Sequence, residues 1–420
     1  METKLQEKGQ ALIVIALAAV VLFGFTALAI DGSRSFEDRR HAQNAADTAA
    51  LAGALAYSRN NDINTTALSR ATSNGYDGGA SNDVTVTVTD APDGVCPANT
   101  LGKDVKVDIV TQITTSIAKV IGQKTLTNAV TATARSCGSY YGPPFDGAAI
   151  VALAPSGKGF DGTGTPDWTI TGGGIFSNSS SSDAAYCNGA ADISAPSVSV
   201  VGGVDLGCHG VTIPTTDTDA AAYSYANMSS FFPRQPVCNG TAHQSGGKWY
   251  PQAGADGSKV AWSGSMDFTE GLYCVTNSPG SFHDAITGTK VTFYLMPANF
   301  NFKLAGNGAS FTASAPTTGE YKGVLMYLAP QLDANGNLTQ AGGNGLQQID
   351  LRGNGNANVI GTIIAPSADV TMFGNSGTGA FNSQIIAYHV DSGGNANITL
   401  KYRPNRNYNA NLPIRLYLLK

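Results

Sequence analysis

The chain has 420 residues, 25 Lys and Arg against 30 Asp and Glu, and a formal net charge of −5. With no basic cluster, that balance excludes nucleic-acid binding by phosphate neutralisation. Charged residues make up 13% and glycines number 50, where ordinary soluble domains carry about 25% charged residues; the composition fits a β-rich surface chain of two or three domains, not a typical cytosolic enzyme.

Ala11 to Ile30 is an uncharged run of 20 residues, about the length that crosses a bilayer. The alanine-rich, proline-free stretch behind it continues the helix to Tyr57. At ~1.5 Å per residue that continuation projects roughly 40 Å past the membrane, so residues 1–57 read as an anchor and stalk. Lys4 and Lys8 precede the run, and Arg34, Arg39 and Arg40 follow it. Their number leaves the orientation open; composition and cysteines put the bulk of the chain outside. Two processing sites compete with a permanent anchor. Ala27-Leu28-Ala29 has the small-residue form of a signal-peptidase site, but the run exceeds the usual ~7–15-residue signal core. Gly9-Gln10 stands where a prepilin peptidase would cut, yet the position five residues after Gly9, a Glu in most pilin precursors, is Val14.

Gly9 with its apolar span, Asp31 at the end, Arg39-Arg40, Gln43-Asn44-Ala45-Ala46-Asp47 and the run Ala49 to Ala54 together resemble the N-terminal segment of TadG-like proteins, of the tight-adherence (Flp-type) pilus-assembly family. The resemblance implies a cell-envelope protein whose partners are the membrane and other pilus or envelope proteins. The small alanines permit close packing against a partner helix. Asp31-Gly32-Ser33-Arg34-Ser35 also has the DxSxS form of the von Willebrand A metal site, which some relatives carry. Such a site needs a buried strand before it and later oxygen ligands, whereas here a membrane span precedes it and no α/β alternation follows.

Residues 58–138 read as a small α/β module. Ile63–Gly75 is a helix capped by Asp62 or Asn64. Val84–Thr89 and Asp104–Val110 alternate as half-buried strands. Thr115–Ile121 is a short helix ended by Gly122, and Thr125–Arg135 is a third strand. The order after the long helix is pilin-like in outline. Six cysteines occur, none at zinc spacing. In an exported chain they form disulfides, and sequence order suggests Cys96 with Cys137, Cys187 with Cys208, and Cys238 with Cys274, one of about 15 possible connectivities.

From 139 to 403 short β-rich runs alternate with Gly, Asn and Ser turns. Gly355-Asn-Ala-Asn-Val359 recurs as Gly394-Asn-Ala-Asn-Ile398, and Gly361-Thr-Ile-Ile-Ala365 approximately as Ser383-Gln-Ile-Ile-Ala387. Offsets near 20 and their doubles predict stacked coils of a parallel β-solenoid, with a β-sandwich as the competing fold. Residues 216–265 break the pattern and read as an irregular insertion, in which Trp249, Tyr250 and Trp262 either pack under the loop or offer a partner- or carbohydrate-binding face. The apolar tail, 404–420, is expected to cap the open end of the solenoid. The predicted fold class is therefore an α+β pilin-like module on a long membrane helix, followed by a mainly-β solenoid.

No motif carries catalysis. The five histidines are scattered, and no Walker loop, GxSxG elbow or dinucleotide fingerprint follows a strand. Neither a cofactor nor a metal is expected. Three rival functions fit the same composition. One is a polysaccharide-active solenoid using Asp205, Asp267, Glu270, Asp350 or Asp391, two of which would have to stand roughly 5–9.5 Å apart. The second is a carbohydrate-binding protein, and the third a subunit of an extracellular filament with its N-terminal helix in the core.

Overall fold

The computed structural model describes residues 7–96, 100–305, 309–340, 347–352, 356–412 and 414–419. The chain divides into two compact units: Met1–Tyr140 with Leu412–Lys420, and Tyr141–Asn411.

The first unit is built on one helix, α1, Glu7–Ser58. Over Leu12–Ile30 the large apolar side chains are 41–73% exposed. Above Asp31 the helix changes character. Ala42, Ala45, Ala46, Ala49, Ala50 and Ala54 are buried, a stripe at the i, i+3, i+4, i+7 spacing of one helix face. This stripe packs on a second helix of the same unit and on a sheet. Its strands are β1 (Asn82–Asp90), β2 (Gly102–Thr114) and β3 (Thr125–Cys137), paired antiparallel in that order. On each strand alternate residues face the helix, among them Val105, Val107 and Ile109 on β2 and Val130, Ala132 and Ala134 on β3. The continuation of α1 is therefore the core helix of an α/β unit and not a free stalk, and the expected boundary at 57/58 falls inside that unit.

A second helix, α2 (Ile63–Ser73), is capped by Asp62, whose carboxylate accepts from the Thr65 amide at 2.6 Å. It buries Ala67 and Ala71 against α1. At Gly53 a Cβ would lie 2.9 Å from Val105 Cγ1, 3.2 Å from Ala67 Cβ and 3.3 Å from Ile63 Cγ2, so only glycine lets α1, α2 and the sheet close to this distance. The tail, expected to cap the β-body, instead supplies a fourth strand: Arg415–Leu419 runs antiparallel to β3, with Leu416 opposite Ser136 and Leu418 opposite Ala134. The second unit is thus an excursion of the chain between two neighbouring strands of one sheet.

The second unit is a mostly-β body. Three parallel ladders run through it. One joins 266–268, 285–289, 310–314 and 356–360. Another joins 258–260, 271–275, 291–295, 324–328 and 362–364. The third joins 280–282, 301–304, 348–352 and 369–373. The continuous extended segment Asn356–Lys401 contributes to all three; as one straight strand its 46 residues would span roughly 150 Å, so it turns through successive circuits. Inward side chains fill the interior with aromatics: Trp262 lies 5.2 Å from Phe293 and 5.1 Å from Phe302, centroid to centroid and edge-on.

The stacking order departs from chain order. Ile385 pairs with Ile150, Ile150 with Ile175, Ile175 with Val198, and Val198 with Thr216. The last circuits of the body therefore dock on its first, at a seam that includes Leu153 N to Ala387 O at 2.9 Å and Gln384 Nε2 to Ala148 O at 2.8 Å. Thr215–Asp217 is one end of the stack, and the strands after Gly240 are the other. The segment between, 218–239, crosses from end to end as a strap. Asn178 Nδ2 donates to Tyr223 O, Tyr225 Oη to Pro366 O, Tyr327 Oη to Pro233 O, and Tyr294 Oη to Gln235 Oε1. The expected insertion at 216–265 is corrected by this: residues from 240 onward are stacked strands, Gly240 pairing with Ser258 and Ser258 with Tyr273. The repeat at Gly355 falls partly outside the described residues.

Candidate functional site

The polar residues that follow the apolar run of α1 form a latch onto the sheet. Asp31 is buried, and its carboxylate accepts from three consecutive amides of the β2–β3 connection: Ser116 at 2.7 Å, Ala118 at 2.8 Å and Ile117 at 3.1 Å. These donors, Ala118 first, hold its carboxyl below the ordinary carboxylate range. One turn on, Arg34 donates to Ser116 Oγ. Ser35 and Asn128 bond reciprocally, Ser35 Oγ to Asn128 Oδ1 at 3.0 Å and Asn128 Nδ2 to Ser35 O at 2.9 Å. Asn128 Nδ2 also reaches Asp38 Oδ2 at 2.9 Å, where Thr111 Oγ1 donates as well. Gln43 Nε2 donates to Thr131 O at 3.1 Å and to Asp47 Oδ1 at 2.8 Å. Chemically the latch fixes where the helix stops being bare; it offers no nucleophile and no open cation site. The DxSxS string is used up in this role, Asp31 on amides, Ser33 on its own helix and Ser35 on Asn128.

Gly9 and Gln10 lie in the first turns of α1. The cysteines meet as three disulfides, Cys96–Cys137, Cys187–Cys208 and Cys238–Cys274, with Cα separations of 5.5, 5.3 and 6.1 Å. The first ties the β1–β2 connection to the end of β3; the last pins the end of the strap to the strand 271–275. Of the three aromatics of 216–265, Trp262 takes the packed alternative and Tyr250 is exposed. Trp262 is 2% exposed, because its strand neighbours turn it into the core. Trp249 is half-buried against Phe268, and Tyr250 lies on the hairpin His243–Ser245/Lys248–Tyr250 stacked on His243.

The candidate carboxylates scatter likewise. Asp267 accepts from Thr287 Oγ1 and faces Lys248, Glu270 pairs with Lys290, Asp350 is buried, and Asp205 is exposed on its strand. Asp391 stands in register with Asp161 across the seam. Burial first, then Asp369 and Asp161, push its carboxyl up to about 7, against the pull of His389 and Lys158. His389 Nδ1 lies 2.9 Å from Asp369 Oδ1. Among the described residues no group of three or more His, Cys, Asp or Glu could hold a metal ion.

The sequence reading missed a cavity of about 210 Å³ at the 215–217 end of the stack, lined by Phe145, Asp146, Phe176, Ser199, Asp217 and Tyr223. Phe145 and Asp146 are both left-handed, at φ 52° and 53°, a conformation rare for side chains of this size; nothing in the sequence around Pro143-Pro144 announces it.

Residues 9–56 match a family model described as "Putative Flp pilus-assembly TadE/G-like". No curated protein and no solved structure matches the chain. The matched stretch covers the bare span, the α1 side of the latch and the buried alanine face, ending at Ala56, itself buried. In its N-terminal helix the chain is TadG-like, a pilus-assembly-related protein of the cell envelope with an apolar helix suited to membrane anchoring.

Proposed function

We propose that the chain is a non-enzymatic, TadG-like anchoring or assembly component, held by α1 in the membrane and presenting a disulfide-stapled β-solenoid outside the cytoplasm, where it meets pilus or other envelope proteins. One observation carries this reading. The bare stretch Leu12–Ile30 is 19 residues, about 29 Å of helix, which matches the ~30 Å hydrocarbon core of a bilayer. From Asp31 on, the same helix is committed to its own sheet. The same free span would also suit a subunit that packs it in a fibre core, and the fibre test below separates the two. Three disulfides support an oxidising, extracytoplasmic compartment. Three parallel ladders per circuit support the solenoid. The absence of catalysis is supported by the engagement of Asp267 and Glu270 with cations and the burial of Asp350.

The test is alkaline extraction of membranes followed by N-terminal sequencing. An anchor stays in the pellet with its N-terminus upstream of Leu12. Release into the supernatant with a start near Ile30 contradicts it, and recovery in sheared surface fibres as the major band favours the filament. A second reading, carbohydrate recognition, is favoured by the cavity at Phe176 and Asp217, whose two carboxylates and aromatic wall suit a small neutral or amine-bearing ring. Saturation transfer from the protein to glucosamine, lost in Ser199→Phe, checks it.

A further inference from the structure

The latch brings the β2–β3 connection to the end of the membrane span. The amides of Ser116, Ile117 and Ala118 sit on the carboxylate of Asp31, the residue that ends the apolar run. Axial arithmetic gives the same level. Ser35 meets Asn128; from there α1 descends four residues to Asp31, about 6 Å, while β3 descends three residues to its start at Thr125, about 10 Å. The connection therefore reaches at least as low as the last polar residue of the helix.

Its tip is a short 3₁₀ turn, Ala118–Ile121, ended by Gly122 at φ 97°. Val120 on that turn is 81% exposed, as exposed as any large apolar side chain outside the span. Lys119 and Lys124 flank it, both exposed. On α1 just above Asp31, Arg34, Arg39 and Arg40 are exposed too, with Phe36 at 66% and Glu37 as the one exposed acid. An apolar tip ringed by cations and set at the end of a membrane span has the composition of an interfacial anchor.

We propose that the 116–124 connection is a second membrane contact, a wedge in which Val120 enters the acyl–headgroup boundary while Lys119 and Lys124 meet the phosphates of anionic lipids. It rests on α1 being the membrane anchor. With two contacts on one rigid unit, the sheet is held at a set height and rotation above the bilayer instead of turning freely about a single helix. The partner surface is the lipid itself, because the tip continues the face that the span already occupies.

The experiment uses the full chain in nanodiscs of phosphatidylethanolamine and phosphatidylglycerol, with and without brominated acyl chains. Val120→Trp places an indole at the tip, and Thr89→Trp places one on β1, in register with Asp104 at the other end of the same sheet. Fluorescence is read as the difference from the parent chain, whose Trp168 and Trp262 are buried and whose Trp249 is half-buried in the β-body. The indole at 120 loses most of its emission in brominated lipid and shifts to the blue, while that at 89 does neither. Replacing phosphatidylglycerol by phosphatidylcholine weakens quenching at 120 if the lysines take part. Equal quenching at the two positions overturns the wedge. Failure of the chain to co-elute with the nanodisc overturns the anchor reading itself, which separates the two claims.

Discussion

Gly53→Leu distinguishes a docked helix from a free stalk by sign. In an isolated helix, leucine is better than glycine by about 0.8 kcal/mol, so a stalk would be stabilised. In the docked unit the first added atom already meets Val105 Cγ1 at 2.9 Å, and Ala67 and Ile63 close the other sides. Three further carbons follow it into the contact between α1, α2 and β2. Overpacking of this kind typically costs ~1–3 kcal/mol, and this site, walled by three elements, belongs at the upper end. Net of the propensity gain, roughly 2 kcal/mol of destabilisation is expected, or a fall in melting temperature on the order of 5–10 °C for a unit of this size. The assay is thermal unfolding of the full chain in detergent, with protease sensitivity of the 58–62 connection reporting the first unit specifically. A melting temperature unchanged or raised, with no new cleavage, would refute the docking of α1 on the sheet.

Other expectations concern the β-body. Asp391 has its folded pKa raised from 3.8 to about 7, so its contribution is fully present below pH ~4 and is lost as pH rises through the folded value, because the unfolded state releases its proton first. Asp391→Asn should then leave stability unchanged near pH 4 and raise it by on the order of 2–4 kcal/mol at pH 8; a denaturant midpoint insensitive to pH across that window would discredit the seam pairing. Trp262→Ala should cost about 3–5 kcal/mol and Tyr250→Ala less than ~1 kcal/mol, measured by denaturant unfolding, whereas a binding-face role would give two similar small values. Removing Cys238–Cys274, which closes a loop of sequence separation 36, should lower stability by roughly 3–4 kcal/mol and open the strap near Pro233 to proteolysis; an unreleased strap would show that its tyrosine hydrogen bonds suffice.

Much of the first unit is legible in the sequence because its signals are local. The apolar run, the Asp62 cap and the alternation Val84-Thr-Val-Thr-Val-Thr89 each act within a few residues. The latch is only half legible. Asp31, Asp38 and Gln43 are visible on α1, but Asn128, Thr111 and the amides at 116–118 become their partners only through tertiary folding. In the body, the offset near 20 is visible while the stacking order is not. Any strand with an apolar inward face can pair with any other in parallel, so nothing local specifies that Ile385 meets Ile150. The same degeneracy hid the strap, read as an insertion, and the tail, whose leucines fit an edge of β3 as well as the end of a stack. Trp262 stays open between packing and a binding face in the sequence for a related reason: an indole in a turn-rich stretch does not show the phenylalanines waiting across the interior.

The most direct test of the account is protease access from one side of the membrane. In spheroplasts, external protease should reach the body and cut it to the same folded-unit fragments that the chain yields in detergent, with the fragment that carries α1 retained in the membrane pellet. A chain protected from outside until the cells are lysed, or found free of the membrane, would contradict an α1 tether with its body on the extracytoplasmic side.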